Sequence, residues 1–299
     1  MDGKRLSVTG CGAAIRRLAL ATGIGGLALL GTGASATTAA PAVAHALQLA
    51  PAQHLRGISS GHHGGGGGGG GGAAPICWGS SNWSGYAVST TSPSTLPCVP
   101  ASGVNYTSVS GSWTVPRVTG SGTAYSAVWA GIDGFTNSSL IQSGTEQDVI
   151  NGVPHYNAWW EILPAPETPI SSITVSPGDS ITVTITRGSG GKWTITLTDG
   201  TQSFTTQQSY SGPGTSAEWV VEAPTVGGRV ATLANYGSTA FDNGTVNGSA
   251  VSIPANSGGE LVQGSRFFKQ VVSIPSEPDG TGDGFASSYG SVQPSPPAS

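Results

Sequence analysis

The chain reads as short runs in which apolar and polar residues alternate, separated by turn formers. Between Ser180 and Thr186, Ile181, Val183 and Ile185 point one way and Thr182, Thr184 and Thr186 the other. That period of two belongs to a strand with one buried face. Pro177-Gly178-Asp179 leads into it, and a glycine turn from Arg187 to Gly191 ends it. Trp193 to Leu197 alternates again and stops at Asp199-Gly200, a hairpin signal. Similar units are expected around 106–115, 124–133, 140–150, 155–163, 216–222 and 229–233. No stretch carries a convincing 3.6-residue period. Many strands at short spacing predict a single all-β domain, a β-sandwich, over residues 75–290.

The two ends differ from this pattern. Lys4, Arg5, Arg16 and Arg17 precede an apolar run from Leu18 to Leu30, and Ala34-Ser35-Ala36 follows. Charge, apolar core and small residues in that order predict a secretory signal peptide over 1–36, and so a secreted protein. The Arg16-Arg17 pair also permits a twin-arginine route. Residues 37–74 hold an Ala/Pro/His stretch and nine consecutive glycines, Gly64 to Gly72. They read as a propeptide or a disordered Gly-rich linker. The Ser/Pro-rich tail 291–299 reads as disordered. No apolar run reaches the roughly 18 residues that span a bilayer, so no membrane partner is expected.

Charge narrows the chemistry. Only 9% of the 299 residues are charged, against about 25% in a typical soluble domain. Beyond Gly72 the chain has 6 basic and 14 acidic residues, a formal charge of −8. That balance argues against a nucleic-acid partner. His155 is the single histidine left there, so neither a His-built metal site nor a His-dependent triad is supported, and no metal or cofactor is expected. Cys77 and Cys98 form an even pair in an exported protein. Bridged, they would close a loop worth about 3 kcal/mol; the other reading is two buried thiols.

Four segments carry polar residues where an ordinary strand would carry Ser and Thr. One face of 125–133 holds Tyr125, Trp129 and Asp133; one face of 140–148 holds Gln142, Glu146 and Asp148. One face of 155–163 presents His155, Asn157, Trp159 and Glu161, and one face of 216–222 presents Ser216, Glu218 and Glu222. Such faces suit either a solvated sheet or a concave cleft whose carboxylates face one another between tryptophan walls. The pattern alone leaves both open.

The strings themselves go further. NWSGYA (82–87), GSWTVP (111–116), WAGIDG (129–134), LIQSGTEQD (140–148), YNAWWEILP (156–164) and AEWVVEAPT (217–225) occur in one order. Together they closely resemble the glutamic peptidases, or eqolisins, secreted acid endopeptidases insensitive to pepstatin. The resemblance implies a β-sandwich of two curved antiparallel sheets, with the active site on the concave face of one. It implies a catalytic pair, Gln142 and Glu218, and a cleft lined by Trp83, Trp129, Asp133, Glu146, Asn157, Trp159 and Glu161. Glu218 would act as the base on an attacking water, and the Gln142 amide would stabilise the oxyanion. Protonation of Glu161, Glu146 and Asp133 would suit acid operation.

Glu222, on the Glu218 face, is the rival base. The family's fungal members carry aspartate where Glu146 stands, aspartate at Asn157 and tyrosine at Leu163. Polypeptide substrates and a monomer are expected. Two rival functions use the same residues: a carbohydrate-binding sandwich with Trp83, Trp129 and Trp159 stacked on sugars, and a glycoside hydrolase with two essential carboxylates.

Overall fold

The structure, a computed structural model, describes residues 50–53, the backbone of 56–57, and residues 76–299. Residues 1–36, expected to be a signal peptide, and most of 37–74 lie outside the described residues. Segments rich in Val, Ile, Thr and aromatic residues form nearly all of it, because branched and aromatic side chains pack well on a pleated surface.

In chain order the strands begin with β1 (Arg56–Gly57), β2 (Trp78–Ser80), β3 (Trp83–Ser89), β4 (Ser108–Thr114), β5 (Ala127–Ile132), β6 (Ile141–Ile150) and β7 (Val153–Ile162). Next come β8 (Thr168–Pro169), β9 (Ser180–Arg187), β10 (Lys192–Asp199), β11 (Gln202–Ser209), β12 (Ser216–Glu222), β13 (Thr225–Val226) and β14 (Arg229–Val230). The last are β15 (Ser238–Val246), β16 (Ser249–Ala250), β17 (Gly259–Gly264), β18 (Lys269–Pro278) and β19 (Phe285–Tyr289). One 3-10 turn, Ser189–Gly191, is the only helix among the described residues.

β7, β6, β5, β12 and β3 lie side by side in that order, antiparallel throughout. A second run goes β11, β10, β9, β4, β15, β19. β18 continues it beyond β19, and β17 pairs with β18, with β3 and, in parallel, with β2. A single large sheet therefore folds back on itself into the two layers of the sandwich. Ala130, Ile132, Ile141, Trp219 and Val221 of the first layer share a buried core with Trp113, Ile181, Ile185, Ile195, Leu197 and Phe241 of the second. Two indoles tie the layers by hydrogen bonds: Trp113 Nε1 donates to Thr145 Oγ1 at 3.1 Å, and Trp219 Nε1 to the Ser110 carbonyl at 2.8 Å. The close approach requires Gly111, where a Cβ would stand 2.5 Å from Trp219 Nε1.

Both ends of the domain make contacts with the sandwich. The backbone of Arg56–Gly57 pairs antiparallel with Trp78–Gly79, and residues 50–53 are hydrogen-bonded to the first layer. The tail forms no strand, yet it is not free. Gln293 Nε2 donates to the Pro275 carbonyl at 2.9 Å, and the Gly280 amide donates to Ser299 Oγ at 3.0 Å. Backbone groups left open beside β18 find their partners in the tail.

Candidate active site

Side chains of the first layer that point away from the core form its other face, and the register arranges them in rows. One row runs Glu161, Gln142, Gly131, Glu218, Ala87 across five strands. The next is Trp159, Gly144, Trp129, Val220, Gly85, and the third Asn157, Glu146, Ala127, Glu222, Trp83. The alternation of β6, β7 and β12 thus puts Gln142 and Glu146, Trp159 and Glu161, and Glu218 and Glu222 on one surface. Glycines make room in these rows. A Cβ on Gly131 would lie 2.9 Å from Trp129 Cζ3 and 3.0 Å from Gln142 Cβ, and one on Gly144 would lie 2.6 Å from Trp129 Cβ.

Gln142 and Glu218 are both fully buried. With Gly131 between them, two strand spacings put their backbones about 10 Å apart, and Gly131 adds no side chain of its own there. Gln142 Nε2 donates to Glu161 Oε2 at 2.7 Å. Among the described residues nothing bonds Gln142 Oε1. Buried polar atoms are nearly always paired, so an open amide oxygen in one row with a buried carboxyl marks a place suited to a further group. Burial holds the Glu218 carboxyl well above the usual carboxylate range; the Ser216 hydroxyl at its side opposes the shift and the charge of Asp133 adds to it.

Carboxylates crowd the β6–β7 side of the face. Asn157 Nδ2 donates to Glu146 Oε1 at 2.7 Å. Asp148 is buried, and its carboxyl is raised well above the usual range by that burial and by Glu146, against a lowering hydrogen bond from the Ser126 amide. Glu167 joins this group, its carboxyl pushed up by burial and then by Glu146, Glu161 and Asp148. The strand pattern missed Glu167 because it stands in the turn between β7 and β8, where a period of two says nothing. Two prolines beside it, Pro166 and Pro169, are the signal of a tight return that could have drawn attention to it.

The tryptophans form a floor. Trp83, Trp129 and Trp159 are fully buried, in a cluster with Phe135, Leu140, Leu96 and Val99. Trp83 and Trp129 meet edge to face, 4.9 Å between centroids. A disulfide joins Cys77 to Cys98, tying the segment of Leu96 and Val99 beside β2. Glu222 is heavily engaged: Oε1 accepts from the Ala50 amide (3.0 Å) and Asn82 Nδ2 (3.2 Å), and Oε2 from Trp129 Nε1 (3.1 Å).

Asp133 does not continue the face of β5. It follows the strand at a φ of 72°, and its oxygens accept from Tyr210 Oη, the Gly214 and Thr215 amides, Thr215 Oγ1 and Asn137 Nδ2. Asp133 fastens the 210–215 segment. Tyr125 likewise precedes β5 and bridges to Leu233. Among the described residues, the acidic group with metal-compatible spacing is Asp242, Asp279 and Asp283, on the second layer. Asp279 Oδ1 there already accepts from the Thr281 and Gly282 amides.

Comparison with known proteins gives a consistent picture. Residues 81–266 match the family described as the peptidase A4 family. Aspergillopepsin-2 of Aspergillus niger is 33% identical over 202 residues, 58% of this chain and 67% of that protein. Scytalidopepsin B of Scytalidium lignicola is 35% identical over 127 residues, and there the match spans 40% of this chain and 48% of the relative's length. In fold, a crystal structure of scytalido-glutamic peptidase with a transition state analog inhibitor superposes with a TM-score of 0.51 at 24% identity, covering 70% of this chain and 98% of that one.

Proposed function

The chain belongs to the peptidase A4 family, the glutamic peptidases, and on that premise we propose that it is a secreted acid endopeptidase in which Glu218 and Gln142 perform the hydrolysis. The observation that supports this reading is the row in which the two buried residues flank a glycine, Gln142 with its amide oxygen open. A water in the gap would lie between the Glu218 carboxylate and Gln142 Oε1. Glu218 takes one proton from it as the oxygen bonds to the peptide carbonyl carbon. An amide has two N–H donors, and Glu161 occupies one; the other is available to the tetrahedral oxyanion. As the C–N bond breaks, Glu218 returns its proton to the leaving amine, so atoms and charge balance without an acyl-enzyme.

Glu218 must be ionised for the first step. Burial favours its neutral form, and water entering with substrate removes the main cause of that shift. Protonation of neighbouring carboxylates relieves the repulsion that a charged Glu218 would otherwise meet; Glu167, pushed up to about 10 by burial and its acidic neighbours, already holds its proton at neutrality. Export rests on the signal-like residues 1–36 together with the Cys77–Cys98 disulfide, a bond that persists in oxidising compartments. The carbohydrate-binding alternative needs exposed indole faces for a sugar to stack on, and Trp83, Trp129 and Trp159 offer none.

The test is cleavage of reduced casein from acid to neutral pH with pepstatin present, using wild type, Glu218→Gln and Gln142→Ala. Acid-limited cleavage is expected of wild type alone, with about 10²–10³ or more lost in each variant. A folded, processed wild type that cleaves at no pH overturns the reading.

A further inference from the structure

The loop that joins β17 to β18 departs from ordinary turn chemistry. Gly264 and Lys269 are register partners, so the turn itself is Ser265-Arg266-Phe267-Phe268. Turns draw on Gly, Pro, Asn, Asp and Ser, each for a backbone reason. Here two phenylalanines stand side by side, 83% and 81% exposed. Ser265 Oγ accepts from the Phe267 amide (3.3 Å) and the Phe268 amide (3.1 Å), so the turn is held by a hydroxyl and uses neither ring. Adjacent large apolar side chains that break a local rule and serve no packing point to something outside the fold.

Charge around the tip is the reverse of that of the domain. Beyond Gly72 there are only 6 basic residues against 14 acidic ones. Arg266 and Lys269 bracket the two rings, and both are exposed. Arg229, also exposed, sits on the β13–β14 hairpin. Gln263 of β17 fastens the segment that follows this hairpin: its Oε1 accepts from the Leu233 amide (3.0 Å), and its Nε2 donates to the Ala231 carbonyl (2.8 Å). The hollow between the two hairpins is lined by Val230, Thr232, Gln263 and Lys269 among others, none of them acidic. Half of the cations beyond Gly72 therefore gather at one corner, beside the exposed phenylalanine pair.

We propose that this corner docks on an anionic lipid bilayer, with Phe267 and Phe268 entering the boundary between headgroups and acyl chains, and Arg266, Lys269 and Arg229 on the lipid phosphates. The shape favours lipid over protein. A stable protein interface buries about 800 Å² on each partner. The tip offers two rings on one tight turn, and the other exposed large apolar residues, Val104, Val153, Tyr289 and Val292, stand on other segments. A fluid bilayer closes around a protruding ring from every side. Arginine and lysine stems lie along such a boundary while their charged heads stay at the phosphates. Apolar burial and attraction to anionic lipid then act together. No segment crosses the bilayer in this arrangement, which is surface docking alone. The proposal stands apart from the peptidase reading, and its test reads no cleavage.

The experiment is co-sedimentation with vesicles of equal parts phosphatidylcholine and phosphatidylglycerol, and with vesicles of phosphatidylcholine alone. The protein is collected from the medium of the expressing cells, with the same N-terminus confirmed by mass for every variant, so that the apolar run at 18–30 does not contribute. Phe267→Ser with Phe268→Ser removes the rings, and Arg266→Gln with Lys269→Gln removes the charges beside them. All four side chains are exposed, so thermal midpoints and near-ultraviolet circular dichroism should match wild type. Wild type should bind the anionic vesicles, more weakly as salt is raised. The phenylalanine pair should account for about a hundredfold in partitioning, about tenfold per ring. The charge pair should account for about 25-fold, about fivefold per charge, and phosphatidylcholine alone should bind wild type less well by at least that factor. Folded wild type that ignores anionic vesicles overturns the proposal, and so does a phenylalanine variant that binds them as wild type does. Wild type that self-associates through the rings and leaves vesicles alone overturns it in favour of a contact between copies.

Discussion

Gln142 and Glu218 are both register partners of Gly131, one from each side. Three strands are needed to bring the two polar side chains onto one row, and at the middle position a glycine leaves space that the Trp129 ring edge of the same strand borders. The gap over Gly131 is thus a product of pairing between strands far apart in sequence, and its width is set by strand spacing.

Gly131→Ala should damage turnover. The added methyl would stand 2.9 Å from Trp129 Cζ3 and 3.0 Å from both Gln142 Cβ and the Ile141 carbonyl. Gln142 must shift to admit it, and displacements of about 1 Å can cost about 10²-fold in rate. Steady-state kinetics should find kcat reduced far more than KM is raised. An unchanged kcat in a folded variant would mean that the gap is not where water and peptide meet.

Glu161 acts through Gln142 by accepting from its Nε2. Glu161→Ala should lower kcat by about 10- to 100-fold by leaving the amide free to rotate. Glu161→Gln keeps an acceptor oxygen and should recover most of that loss, while shifting the pH profile because one carboxyl has gone. Equal damage from both variants, with no change in profile, would indicate a packing role instead.

Acid should stabilise this domain. Glu218, Glu222 and Asp148 have folded-state values raised mainly by burial. The folded protein therefore keeps protons that the unfolded chain gives up. Stability from these groups is complete below their unfolded values and is lost as pH rises through the folded ones. Thermal midpoints recorded from strong acid to neutrality should fall with rising pH. Glu218→Gln should flatten that slope and stabilise the fold near neutrality, since a neutral amide takes the place of a buried acid. A midpoint that climbs toward neutrality contradicts this account.

Asp133→Ala should act on stability first. It strands the Gly214 amide and Tyr210 Oη, both buried partners of one oxygen. Leaving two such donors unpaired costs about 2–6 kcal/mol. Denaturant titration would register this as a lower midpoint. A loss of activity without a loss of stability would return Asp133 to the cleft.

Much of the fold was legible because alternation survives wherever strands are regular. β6, β7 and β12 carry no bulge against their neighbours, so counting by twos along the sequence sorted Gln142, Trp159 and Glu218 from Ile141, Trp160 and Trp219 correctly. The count stops at its ends. Asp133 and Tyr125 lie outside β5, one at a positive φ and the other in a bridge to Leu233, where a period of two no longer applies. Glu167 sits in a turn, beyond any periodic rule. The docking of residues 50–53 was invisible for a different reason: it depends on carbonyls and amides, which every sequence possesses. Burial of the three tryptophans was equally hidden, because what covers them comes from loops around Leu96 and Phe135.

The shared pairing at Gly131 behaves like a reading frame. A single residue inserted in β6 between Gln142 and Glu146 would exchange the two faces on one side of that point, so that the two side chains would no longer share a surface. Length is therefore locked along the five strands that write the rows, and free only in the loops between them. What the strands spell is fixed by count; what the loops spell is not.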